Sequence, residues 1–138
     1  MKTIIFATAL WAAALVSVTV AAQETQEKRE KSVNEGVYTL AQATRGESGF
    51  EASCTACHET SRFIGQEFLS TWTGKSLHVL FDHVHTTMPE DNPGSLKPEQ
   101  YADILAFFLK LNEYPEGKEE LPSEADALKG IKFEAKLK

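Results

Sequence analysis

Cys54-Thr55-Ala56-Cys57-His58 has the C-x-x-C-H pattern by which a c-type haem is attached through two thioethers and ligated by the histidine. Thiols three positions apart lie about one helical turn from each other, so both can reach the vinyl groups of one porphyrin while the next residue addresses its iron. Cys54 and Cys57 are the only cysteines in the 138-residue chain, so none is left over for a disulfide. One covalent haem c with its iron is the expected cofactor.

Other readings of two cysteines at this spacing are weaker. A thioredoxin-like C-x-x-C belongs beside a βαβ pattern, and no alternation of strands and helices is visible here. A structural zinc site needs third and fourth ligands at matched spacing. His58 makes no such pair with the later histidines, although the spacing of His78 and His83 leaves one zinc arrangement open.

At the amino terminus Lys2 precedes an apolar run from Ile4 to Val20, and Val20-Ala21-Ala22 offers the small residues of a cleavage site. Residues 1–22 therefore read as a secretory signal peptide, and haem attachment is expected in the periplasm. The alternative is an uncleaved anchor. Thr3, Thr8, Ser17 and Thr19 dilute the run and no basic cluster follows it at once, which favours cleavage and a mature form that does not span the membrane.

The remaining chain is long enough for one domain and too short for two. Its net charge is −6 with the signal included, and losing Lys2 makes it one unit more negative. Nucleic acid is thereby an unsuitable partner. An acidic surface can steer encounter with a basic partner, and it can equally serve solubility alone.

Residues 23–36 open with Gln23-Glu24-Thr25-Gln26-Glu27-Lys28-Arg29-Glu30-Lys31, which has no apolar face and reads as a mobile, solvated leader. Residues 37–115 form the expected domain. From Thr39, Leu40, Ala43 and Phe50 follow a broken helical period interrupted by Gly46 and Gly49, predicting a helix that ends at the cysteine motif. A glycine in a helix interior costs about 1 kcal/mol relative to alanine. Close crossing of another helix would account for it.

The partner for that crossing is Pro98–Leu111. Pro98 suits the first helical position, Glu99 suits the first turn, and Tyr101, Ile104, Leu105, Phe108 and Leu111 share a face. Phe107 and Leu109 widen the stripe, as a helix facing both its partner and the haem edge requires. Asn112, Pro115 and Gly117 stop it. Between the two helices, Phe63–Trp72 is apolar but broken by Gly65, and Ser76 can cap a short helix in which Leu77, Leu80, Phe81 and Val84 share a face. His78, His83 and His85 flank that stripe and read as surface residues.

Met88 is the candidate sixth ligand. It is the only methionine besides Met1, and Pro89 and Pro93-Gly94 stiffen its loop. A thioether opposite an imidazole favours ferrous iron and is the pairing of electron-transfer cytochromes. The alternatives are His85, His83 or an open position, with Met88 filling a gap in the core.

The order of C-x-x-C-H, Met88-Pro89, the Pro93-Gly94 loop and a terminal aromatic helix resembles small class I cytochromes c. These are the bacterial periplasmic kind also found as domains in quinoprotein dehydrogenases, and the resemblance covers residues 37–114. It implies an all-α cytochrome c-like fold, with crossed N- and C-terminal helices enclosing a covalent haem. By the same resemblance Trp72 sits near the haem propionates, where a core-filling tryptophan is an equal contender, and Lys75 pairs with a propionate. Family members commonly carry glycine after the motif and a downstream proline whose carbonyl orients the proximal imidazole. Here Glu59 follows and no proline occurs between His58 and Pro89, so another carbonyl is expected in that role.

Residues 116–138 lie outside the resemblance and are expected to pack over the domain. Ser123-Glu124-Ala125-Asp126 reads as a capping box for a short helix, and Ile131 and Phe133 as a brief extended stretch. The implied work is periplasmic one-electron transfer between a redox donor and an acceptor, a quinoprotein dehydrogenase, oxidase or reductase being fitting partners. Two alternatives remain: a haem with an open position and peroxidase-like or gas-binding activity, in which His83 or His85 acts as acid or base, and a haem subunit of a larger dehydrogenase or oxidase complex.

Overall fold

The computed structural model describes residues 29–137. Four helices carry the fold: α1 (Leu40–Ser53), α2 (Gly65–Trp72), α3 (Leu77–Thr87) and α4 (Pro98–Leu111). A two-residue parallel pair, β1 (Lys31–Ser32) with β2 (Ile131–Lys132), joins the two ends of the chain. This is an all-α architecture with its first and last helices packed together, as the resemblance implies.

Helix α1 starts where the Thr39 hydroxyl accepts a bond from the Gln42 amide, 3.1 Å away, which satisfies one of the orphan donors of the first turn. It crosses α4 at Gly46. A Cβ on Gly46 would lie 1.8 Å from the Asp103 carbonyl oxygen, whereas one on Gly49 would meet only the Ile104 side chain at 3.8 Å. Of the two glycines that interrupt α1, only the first is demanded by the crossing. Arg45 closes the same junction, its guanidinium reaching Asp103 at 2.9 Å and Glu120 at 2.9 Å. That pairing holds the Glu120 carboxyl below the usual carboxylate range, though so exposed a pair contributes little to stability.

Helix α4 is buried along most of its length, from Tyr101 through Leu109 with the exception of Asp103. Its wide apolar face meets α1 on one side and α3 on another. Helix α3 runs to Thr87, beyond Val84, the last position of the apolar face read from the sequence. Ser76 occupies its N-cap position, but the hydroxyl makes no capping bond. The apolar stretch before it divides at Ile64 into a 3-10 turn (Thr60–Phe63) and α2.

Both ends of the described chain depart from the expected pattern. Residues 31–36, assigned to a mobile leader by their polarity, belong to the fold. Val33 is fully buried, Ser32 and Glu35 form a capping box around a 3-10 turn, and the Asn34 amide donates to the Ala135 carbonyl at 2.9 Å. Val33 is a single valine inside a polar window, so composition alone did not reveal the anchor. Residues 1–28, which hold the expected signal peptide, lie outside the described residues.

At the other end, Leu121, Leu128, Ile131 and Phe133 are buried core residues. Gln42, itself buried, binds the Leu121 backbone in both directions, donating to its carbonyl at 2.9 Å and accepting from its amide at 2.7 Å. Gly117 packs against Gly36 so closely that a Cβ there would lie 1.8 Å from the Gly36 oxygen. The capping box read at Ser123 does not form. The helical turn is a 3-10 turn at Ala127–Gly130 preceded by Asp126, whose side chain makes no capping bond. Bonds from Ala127, Leu128 and Lys129 back to the carbonyls three residues earlier take up these backbone groups instead, and they place Leu128 in the core.

Substituting Gly46→Ala is expected to destabilise the protein by about 3 kcal/mol or more, because backbone cannot yield to the new methyl. Gly49→Ala is expected to be neutral or to stabilise by up to about 1 kcal/mol through helix propensity. Urea denaturation of the two variants compares them directly, and equal midpoints would rule out a crossing held by Gly46.

Candidate functional site

The end of α1 builds one side of the site. The Cys54 amide donates to the Phe50 carbonyl at 2.8 Å, and the Cys54 carbonyl accepts from Cys57 at 3.1 Å and from His58 at 2.9 Å. These bonds wind the motif into a turn that continues the helix, so Cys54, Cys57 and His58 all face one cavity. Both cysteines are free thiols. Cys57 is exposed, whereas partial burial pushes the Cys54 thiol above its ordinary value.

That cavity has a volume of about 650 Å³, within the range of cofactor sites. Its floor is aromatic. Phe63 stacks on Phe108 with ring centroids 4.5 Å apart, Phe50 meets Phe63 edge-on at 5.2 Å, and the His58 ring stands perpendicular to Phe63 at 5.6 Å. Phe68 and Trp72 from α2, Leu80, His83 and Val84 from α3, and Ile104 from α4 complete the wall.

Met88 enters from the loop after α3. Its amide donates to the Val84 carbonyl at 2.9 Å, and its carbonyl accepts the Tyr101 hydroxyl at 2.8 Å. Tyr101 is fully buried, so α4 fixes the backbone from which the Met88 side chain projects. Met88 lines the same cavity as the motif residues, and Pro89, Glu90 and Asp91 follow it along the rim.

Other residues singled out in the sequence fall in different places. Trp72 lines the cavity, but Lys75 does not; its ammonium lies 5.0 Å from the centre of the Trp72 ring, a cation–π position. Of the three histidines read as surface residues, His83 reaches the cavity, its ring 5.5 Å from that of Trp72. His85 stacks on Phe81 and packs edge-on against Tyr101, and His78 donates from Nδ1 to the Ala125 carbonyl at 2.9 Å. Among the described residues no three His, Cys, Asp or Glu side chains converge as a metal site of that kind would need, so the spacing of His78 and His83 marks no zinc centre.

Arg62 was not foreseen. It supplies the basic side chain of the lining, from a 3-10 turn whose position no helical period could have revealed. Asn112 was read only as a helix stop. It is buried, donates to the Phe63 carbonyl at 2.7 Å and to the Phe108 carbonyl at 2.8 Å, and accepts from the Gly65 amide at 3.1 Å. One amide thus ties the end of α4 to the segment that follows the motif.

The acceptor expected for the His58 ring is missing. Its Nδ1 is solvent-inaccessible and has no hydrogen-bond partner among the described residues. Taken together, the residues fit a covalent haem: two free thiols and an imidazole from one turn, a thioether from a loop, and apolar aromatic walls between them.

Residues 41–108 match the family model described as cytochrome C oxidase, cbb3-type, subunit III. The match begins inside α1, ends inside α4 and includes every residue that lines the cavity. No curated protein and no solved structure matches the chain.

Asn112→Ala is expected to cost about 2–4 kcal/mol, since it strips hydrogen bonds from backbone groups that stay buried. Chemical denaturation measures the loss. A cost below about 1 kcal/mol would mean that those groups find other partners.

Proposed function

With residues 41–108 forming a mono-haem c-type cytochrome domain whose cofactor is covalent haem c with iron, we propose that the protein transfers single electrons between a donor and an acceptor protein in the periplasm. In this reading Cys54 and Cys57 form the thioethers, and His58 and Met88 ligate the iron. The observation that carries it is the convergence of both cysteines, the motif histidine and Met88 on one apolar cavity.

When bound, the haem supplies a one-electron couple between ferric and ferrous iron. The chain's own residues do the rest. His58 and Met88 would both hold the iron, which would leave no position for a substrate and suit a carrier rather than an enzyme. The Tyr101 bond to the Met88 carbonyl holds the thioether's backbone against displacement, and the aromatic floor keeps water from the lower part of the cavity. Trp72 would stand by the propionates, with Lys75 held over its ring and Arg62 on the cavity wall as cations that could pair with them.

Export follows from the signal-like residues 1–22 and from the chemistry of c-type attachment. Among the described residues no helix is long and apolar enough to cross a membrane. The acidic chain suits a donor or acceptor with a basic docking face, and the family match supports an oxidase as that partner or as the complex in which the domain sits. A second reading, an open distal position with ligand-binding or peroxidase-like activity, draws on the one further imidazole that lines the cavity, His83.

Visible spectra of the purified protein separate these readings. Sharp low-spin c-type bands, together with the weak far-red band of a methionine–ferric iron bond, are expected. Met88→Ala should abolish the far-red band and admit carbon monoxide. An unaltered spectrum and no gas binding in that variant would remove Met88 from the iron, and a high-spin spectrum of the natural protein would favour the His83 reading.

A further inference from the structure

An iron-ligating imidazole almost always donates its other ring N–H to a carboxylate, a carbonyl or water, which orients the ring and raises its basicity toward the metal. His58 lacks that partner. Its Nδ1 is buried and unpaired among the described residues, and no proline lies between His58 and Pro89 to present a free carbonyl. Three carbonyls close to His58 in the sequence already accept other bonds. That of Cys54 receives the amides of Cys57 and His58, that of Glu59 receives Arg62, and that of Phe63 receives the Asn112 side chain. What stands beside the ring is Phe63, perpendicular to it at 5.6 Å, and an aromatic ring accepts a hydrogen bond only weakly.

We propose that His58 ligates the iron through Nε2 with no strong acceptor on Nδ1–H, and that this chain thereby holds its reduction potential above that of the same site with such an acceptor. The inference rests on the reading of His58 as the proximal ligand. Physically, a strong acceptor would draw the Nδ1 proton away, make the imidazole a stronger donor and favour the ferric state. Without it, ferrous iron is favoured, the same direction in which the Met88 thioether acts. Orientation of the ring then falls to packing: the motif turn sets the His58 backbone, and the Phe63–Phe108 stack, pinned by Asn112, limits rotation of the imidazole.

The decisive measurement is proton–nitrogen NMR of the reduced, diamagnetic holoprotein with histidine ring nitrogens labelled. The Nδ1–H of the haem-linked histidine is expected at the upfield position of an imidazole N–H without a strong acceptor. A downfield signal typical of a carbonyl or water acceptor would overturn the proposal while leaving His58 on the iron. A histidine ring without the ring-current shifts of haem ligation would instead overturn the underlying ligand assignment. Phe63→Gln, which brings an amide oxygen next to the ring, is expected to move the Nδ1–H signal downfield and to lower the midpoint potential relative to Phe63→Leu. A downfield signal with no fall in potential would overturn the tuning role.

Discussion

The close crossing of α1 and α4 at Gly46 is the constraint on which the rest of the structure depends. With the Asp103 carbonyl only 1.8 Å from where a Cβ would stand, the two backbones touch, and no other residue type fits that point without separating them. The crossing sets where α1 lies, and Cys54 caps its C-terminal end. It also sets which residues of α4 face inward beyond the junction, and those are Ile104 and Phe108, both on the cavity wall. One missing methyl group thereby fixes the distance between the attachment turn and the wall it faces.

A second layer holds the cavity from behind. Phe133, in the C-terminal tail, packs edge-on against Phe68 at 6.2 Å and against Tyr114 at 5.5 Å. Its backbone brackets the turn after α2, accepting from Gly74 and donating to Lys75, each at 2.8 Å. Tyr38 bonds to the Tyr114 carbonyl at 2.7 Å, and Tyr114 in turn bonds to the Glu134 carbonyl at 2.7 Å. Burial raises the pKa of both phenols. The tail is therefore a structural wall of the domain, and its aromatic residues support the helix that carries Phe68 and Trp72.

The local chemistry of the two proposed axial ligands is asymmetric. Met88 is held through its backbone by Tyr101 and Val84, whereas the His58 ring is held by its turn and by aromatic packing, with no polar bond to Nδ1. Hydrogen bonding, ligand identity and burial are the protein's means of tuning such an iron. In the proposed ligation, an Nδ1 without a strong acceptor and a thioether ligand would both favour the reduced state.

Much of this was legible in the sequence because it is local. The C-x-x-C-H turn is a matter of adjacent residues, the Pro98–Leu111 helix declares itself by its start signal and its period, and a glycine inside a helix predicts a close neighbour. Those features determined the haem chemistry, the helical class and the crossing. What only the tertiary structure decided depends on residues distant along the chain. Val33 and Phe133 belong to the core although polar neighbours surround them. Arg62 and His83 face the cavity while Lys75 lies over Trp72. No carbonyl among the described residues meets the His58 Nδ1, although the sequence led one to be expected there. Periodicity and spacing describe which residues can share a face. Which acceptor a buried N–H meets is settled only when separate segments compete for the same space.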